Sequence, residues 1–120
     1  MSEYFFSFVD VKTLADARSA IQDIGSDSQS IDIMAPKAVS RVIRCQNVRL
    51  QDAIIIKQDM LSLGGEVALP KEAFSLKDEA ADILIIGTIK QLTELAAKLS
   101  RHYPRLQRFS TELSIIIKKI

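Results

Sequence analysis

The stretch Ala81-Asp82-Ile83-Leu84-Ile85-Ile86-Gly87-Thr88-Ile89-Lys90-Gln91 decides the fold. Residues 81 to 87 contain the apolar run Ile83-Leu84-Ile85-Ile86-Gly87, which predicts a strand. An unbroken apolar run suits a central strand covered on both faces, as in a helix-flanked sheet. Thr88 and Gln91 then stand at the spacing of a capping box, in which each side chain satisfies a free amide of the first helical turn. Ile89, Leu92, Leu95, Ala96 and Leu99 recur with helical period beyond it. A strand that runs straight into an amphipathic helix is a building unit of α/β and α+β proteins.

Working towards the N-terminus, residues 66 to 69 predict a short strand closed by Pro70, and residues 71 to 80 a connection with one helical turn. Residues 49 to 63 form the longest helical segment, and Gly64-Gly65 stops it. Residues 39 to 48 predict a strand, preceded by a short turn over 37 to 41. Ile31-Asp32-Ile33-Met34 alternates until Pro36 interrupts it, and residues 26 to 30 are polar enough for a loop. Thr13, with Asp16 behind it, starts a helix that carries Leu14, Ala17, Ala20, Ile21 and Ile24 and ends at Gly25. Residues 4 to 11 are aromatic and β-branched and predict a first strand. Towards the C-terminus, His102 to Pro104 ends one helix, and a last helix from Gln107 carries Leu113, Ile116, Ile117 and Ile120. The order is β-α-β-α-β-β-α-α. It predicts a single α/β (or α+β) domain over residues 1–120, a mixed sheet of about four strands with helices packed on it.

Bulk properties narrow the function. With 120 residues, the chain can bury roughly two thirds of its unfolded surface without a staple. The sixteen basic and fifteen acidic side chains leave a net charge of +1, not the excess that phosphate backbones select, so nucleic acid is a disfavoured partner. The best local basic run is Lys37, Arg41, Arg44 and Arg49, which also reads as a solvated face. A single cysteine, Cys45, excludes an internal disulfide and reads as a structural thiol in a strand. The N-terminus lacks a basic signal region, and no apolar run could span a bilayer, so the expected location is the cytoplasm, with no membrane partner.

No catalytic residue and no metal set is expected. The one histidine, His102, cannot build a metal cluster with one cysteine, and at a helix end it suits the helix dipole. A phosphate cradle precedes its helix, whereas Gly64-Gly65 follows one, so those glycines read as a C-cap. Gly87-Thr88, between a strand end and a helix start, is the better place for an anion. Lys57 is unusual. At about 100° per residue, Leu50, Ala53, Ile54, Met60 and Leu61 share one arc of the helical wheel, Gly64 lies beside it, and Lys57 falls in its middle. A lysine there snorkels, pairs with an acid such as Asp32, Glu66 or Asp82, or serves a ligand. The ligand reading groups Lys37, Arg41, Lys57, Gly87 and Thr88.

Three segments in order carry a family resemblance: Ile33-Met34-Ala35-Pro36-Lys37-Ala38-Val39 with Arg41 behind it; Ile56-Lys57-Gln58-Asp59-Met60-Leu61-Ser62-Leu63-Gly64-Gly65-Glu66-Val67-Ala68; and Asp82 through Gln91. Together they resemble the extra N-terminal domain ahead of the catalytic barrel in some long bacterial and archaeal dihydropteroate synthases. In that family the barrel joins a pterin diphosphate to p-aminobenzoate in folate synthesis. The resemblance implies a barrel beginning where this chain ends, so none of the catalytic motifs carries over. It also implies a noncatalytic accessory domain, standing alone or cut from a longer enzyme, without a cofactor. Its expected partner is a pterin or folate enzyme, or a second copy through the apolar last helix in a homodimer. Two other readings remain open: a binder or enzyme for a small phosphate- or carboxylate-bearing ligand, and an RNA-binding α/β module using Arg41, Arg44 and Arg49.

Overall fold

In the computed structural model, residues 3–74 and 79–120 are described. The chain divides into two compact units, Met1–Val39 and Ser40–Ile120.

The first unit holds helices α1 (Leu14–Asp23) and α2 (Ser28–Met34) and a 3-10 turn at Ala35–Lys37. Thr13 and Asp16 form the capping box of α1, and Gly25 follows the helix at a φ of +89°, a left-handed conformation that suits glycine. Two expectations fail here. Residues 28–34 are helical rather than loop and alternating strand, because the Asp27 carboxylate accepts from the amides of Gln29 and Ser30 and starts α2. Residues 4–12 form no strand. Aromatic and β-branched residues favour strands by packing on neighbouring strands, and this unit has no second strand among the described residues. Phe5, Phe6 and Phe8 are almost wholly exposed.

The second unit runs β1 (Ser40–Arg49), α3 (Leu50–Ser62), β2 (Glu66–Ala68), a 3-10 turn at Lys71–Phe74, β3 (Ala80–Thr88), α4 (Ile89–Leu99) and α5 (Pro104–Ile117). The turn lies inside the connection expected over 71 to 80; residues 75–78 of that connection fall outside the described set. The sheet has order β1-β3-β2, so the stretch around Ile85 is the central strand, as its apolar run predicts. It has three strands, all antiparallel, where a mixed sheet of about four is expected. Within this unit, helices bury only one of its faces. Ile83 and Ile85 are buried, whereas Leu84 and Ile86 remain 37% and 38% exposed beside Val42. Alternate side chains of a strand point to opposite faces, and α3 and α4 pack on one of them.

The core joins Ile56 and Met60 of α3, Ile83 and Ile85 of β3, and Leu92 and Leu95 of α4. Burying each such side chain contributes roughly 1.5–3 kcal/mol. Helix α4 carries the full capping box, with the Thr88 hydroxyl accepting from the Gln91 amide and the Thr88 amide donating to Gln91 Oε1. Helix α3 ends in a Schellman motif. The Gly65 amide donates to the Met60 carbonyl, the Gly64 amide donates to Leu61, and Gly64 sits at a φ of +89°. Met60 fills the space that Gly65 leaves, since a Cβ there would stand 2.6 Å from Met60 Cε. Among the described residues no helix is long and apolar enough to cross a membrane.

Candidate functional site

The second unit carries a cleft of about 470 Å³ between the end of β1 and the face of α5 that bears Phe109, Leu113 and Ile116. Its floor is apolar, with Ile43 and Val48 from β1 and Phe109, Leu113 and Ile116 from α5. The α5 residues follow helical spacing, so one face of that helix lines the wall. Four guanidinium groups, Arg44, Arg49, Arg105 and Arg108, line the cleft against two carboxylates, Asp52 and Glu112.

Strand β1 is irregular where it meets this cleft. Its pairing with β3 shifts between Cys45 and Val48, which leaves Gln46 and Asn47 outside the ladder. Asn47 adopts a φ of +58°, the left-handed region that asparagine enters more readily than other non-glycine residues, and its amide donates to Asp82 Oδ1 at 3.0 Å. Arg44 Nη2 meets the other oxygen of Asp82 at 2.8 Å. The bulge is thus tied to β3 by one carboxylate. Bulges bend a strand and re-aim its side chains.

A polar cluster also lines the cleft. Asp52, in the first turn of α3, is only 5% exposed. Arg105 binds it with both donor arms, Nε to Oδ2 at 2.5 Å and Nη2 to Oδ1 at 2.8 Å. The Tyr103 hydroxyl donates to the same carboxylate, and the Arg105 guanidinium lies 5.3 Å from the Tyr103 ring centre. Burial pushes the Asp52 carboxyl up. The hydrogen bonds from Arg105 and Tyr103 and the charges of Arg105 and Arg49 outweigh that and hold it below the usual carboxylate range. Tyr103 is pushed up by burial and then by Asp52, so its hydroxyl keeps its proton. An acid held this low is a poor proton acceptor, and the cluster serves structure and electrostatics. Cys45 is half-buried, and burial followed by the charge of Glu112 raises its thiol. That favours the thiol over the nucleophilic thiolate.

The residues grouped from the sequence sit elsewhere. Lys37 ends the 3-10 turn of the first unit. Arg41 lies on β1 opposite Gly87 and donates from Nη1 to the Ser40 carbonyl. The Thr88 amide and hydroxyl are both used in the cap of α4, so the capping box occupies groups that an anion there would need. A Cβ on Gly87 would collide with Met60 Cε, which makes close packing a sufficient reason for glycine. Lys57 donates to Glu66 Oε1 at 3.2 Å and to the Val67 carbonyl at 2.9 Å, so it tethers α3 to β2. Of the three acids considered for it, Glu66 is the partner, while Asp32 pairs with Arg18 and Asp82 with Arg44. The buried face of α3 is Asp52, Ala53, Ile56 and Met60, displaced from the arc read off the helical wheel, and Leu61 is exposed. Lys57 therefore stands at the margin of the apolar face.

His102 also has a partner the sequence did not reveal, Asp59, with Nε2 3.0 Å from Oδ2 across 43 residues of chain. Asp52, Tyr103 and Arg105 went unnoticed for the same reason: 51 to 53 residues separate the partners. The available signal was Asp52 itself, an acid at helical spacing from Ile56 and adjacent to Ala53. Among the described residues no group of three or more metal-ligating side chains comes together.

The chain is similar to the bifunctional dihydropteroate synthase/dihydropteroate reductase of Helicobacter pylori, at 32% identity over 101 residues. The aligned region covers 84% of this chain and 27% of that relative. The chain is thus related to a dihydropteroate synthase, and it spans about a quarter of that protein's length. No protein-family model matches it, and no solved structure does.

Proposed function

We propose that this chain is a noncatalytic accessory domain that acts through protein contacts beside a dihydropteroate synthase-type enzyme in pterin and folate chemistry. The observation that carries this reading is the lopsided alignment, which takes in 84% of the chain but 27% of the relative. A region of that size accompanies the larger part of an enzyme. The titratable groups of the cleft fit the reading, because Asp52 is held too weakly basic to take up a proton readily and Cys45 is shifted away from its nucleophilic thiolate. Self-association would use the last helix, where Ile115 and Ile116 are 51% and 44% exposed. The test is titration of the chain into a dihydropteroate synthase barrel from the same source, followed by sedimentation velocity. A complex is expected at micromolar concentrations; two separately sedimenting species at about 100 μM, where binding weaker than millimolar goes unseen, would refute it.

A second reading rests on the same relative, whose name joins a synthase to a reductase. The aligned quarter would then serve the reductase half. Incubation of the chain with dihydropteroate and a reduced nicotinamide nucleotide as hydride donor separates the two readings. The accessory reading expects no oxidation of the nucleotide beyond the protein-free rate.

A further inference from the structure

The cleft between β1 and α5 is a ligand-shaped feature that the accessory role does not use, and the inference below stands independently of that role. Its volume, about 470 Å³, lies in the range of small-molecule sites. Its lining combines apolar side chains, among them the ring of Phe109, with four arginines against two carboxylates. Two of the four guanidinium groups are already engaged, Arg44 with Asp82 and Arg105 with Asp52. Arg49 and Arg108 form no ion pair among the described residues, and both are exposed at the rim. A second feature, independent of charge, is the bulge at Gln46 and Asn47. It takes Gln46 and Asn47 out of the ladder and places both in the lining of the cleft. Phe109 supplies an aromatic surface on the opposite wall.

We propose that this cleft binds a small organic anion with a flat aromatic body, its ring against Phe109 and Leu113 and its carboxylate or phosphate held by Arg49 and Arg108. Arginine suits either anion, because its planar fork matches two oxygens at once. Asp52 is already held by Arg105, so Arg49 and Arg108 are the two of the four arginines left for a ligand.

The full chain is titrated with 2-naphthoate, 2-naphthyl phosphate, the neutral 2-naphthamide and inorganic phosphate, with amide NMR shifts as the readout of place. Saturable shifts are expected at Gln46, Asn47 and Arg108 for the two aromatic anions. The stronger of the two identifies the anionic group. The amide and inorganic phosphate should bind at least about tenfold more weakly, the factor one charge-assisted contact represents. Arg49→Gln and Arg108→Gln alter exposed side chains and leave the fold intact by melting temperature; each should weaken the naphthoate or naphthyl phosphate response by about tenfold or more. Equal binding by 2-naphthamide, shifts centred on Gly87 and Thr88 instead, or full binding by the doubly substituted chain would each overturn the proposal. So would the absence of saturable shifts with all four probes at about 10 mM, far above the range of specific small-ligand binding.

Discussion

Replacing Asp52 by Asn tests how the second unit is held together. The substitution keeps the shape of the side chain but removes its charge, and it turns one of two acceptor oxygens into a donor. Arg105 Nε, now 2.5 Å from Oδ2, would face either that donor or an uncharged oxygen, and Tyr103 would compete for the remaining acceptor. Charge-assisted hydrogen bonds of this kind contribute roughly 1.5–3 kcal/mol each. Breaking a fully buried pair costs about 3–5 kcal/mol. The Asp52 side chain is 7% exposed but the Arg105 side chain is 37% exposed, so water recovers part of the loss on the arginine side. A loss of about 2 kcal/mol is the reasonable expectation, or roughly 8–16 °C in Tm for a unit of this size. The effect should depend on pH with a definite sign. The Asp52 carboxyl sits below its ordinary value of 3.8 in the folded chain. Its contribution is therefore complete above pH 4 or so and is lost as the pH falls through the still lower folded value. Urea unfolding at pH 7 and at steps below pH 4 measures both. A difference under about 0.5 kcal/mol at pH 7, as for an ordinary surface change, would refute the reasoning. So would a gap between the two proteins that widens on acidification.

Other substitutions probe separate parts of the account. Gly87→Ala should destabilise by about 1–3 kcal/mol through overpacking against Met60, measured by urea unfolding. Met60→Ala alone should cost about 2–5 kcal/mol, and the double variant should lose clearly less than the sum, because the cavity accepts the new methyl. Lys57→Met should leave the response to 2-naphthoate unchanged and lower stability by no more than about 1 kcal/mol in urea, since it breaks a half-exposed pair with Glu66 and one hydrogen bond to the Val67 carbonyl; a loss of ligand response would return Lys57 to the site. If the last helix mediates self-association, Ile115→Glu should abolish it in sedimentation equilibrium without lowering Tm.

Local signals were legible in the sequence. Thr13 with Asp16 and Thr88 with Gln91 form the capping boxes their spacing announces, and Gly64-Gly65 closes α3 as glycines after a helix should. The strand around Ile85 is central. Signals that depend on what a segment packs against were not legible. Residues 4 to 11 have strand composition without a strand partner among the described residues of their unit, and Leu84 and Ile86 belong to the sheet face opposite the one on which α3 and α4 pack. The short helix at Ser28–Met34 was announced by Asp27, a good N-cap, but the alternation of Ile31 to Met34 masked it. The cleft is the least legible part. Its cluster joins the start of α3 to the start of α5, its rim depends on a bulge, and no spacing along the chain encodes either.

The central claim is that this chain accompanies a dihydropteroate synthase-type enzyme, and sedimentation velocity of the chain mixed with such a barrel tests it most directly. The account predicts a heavier species that grows with micromolar additions of the chain. Independent sedimentation of both proteins up to about 100 μM would contradict it.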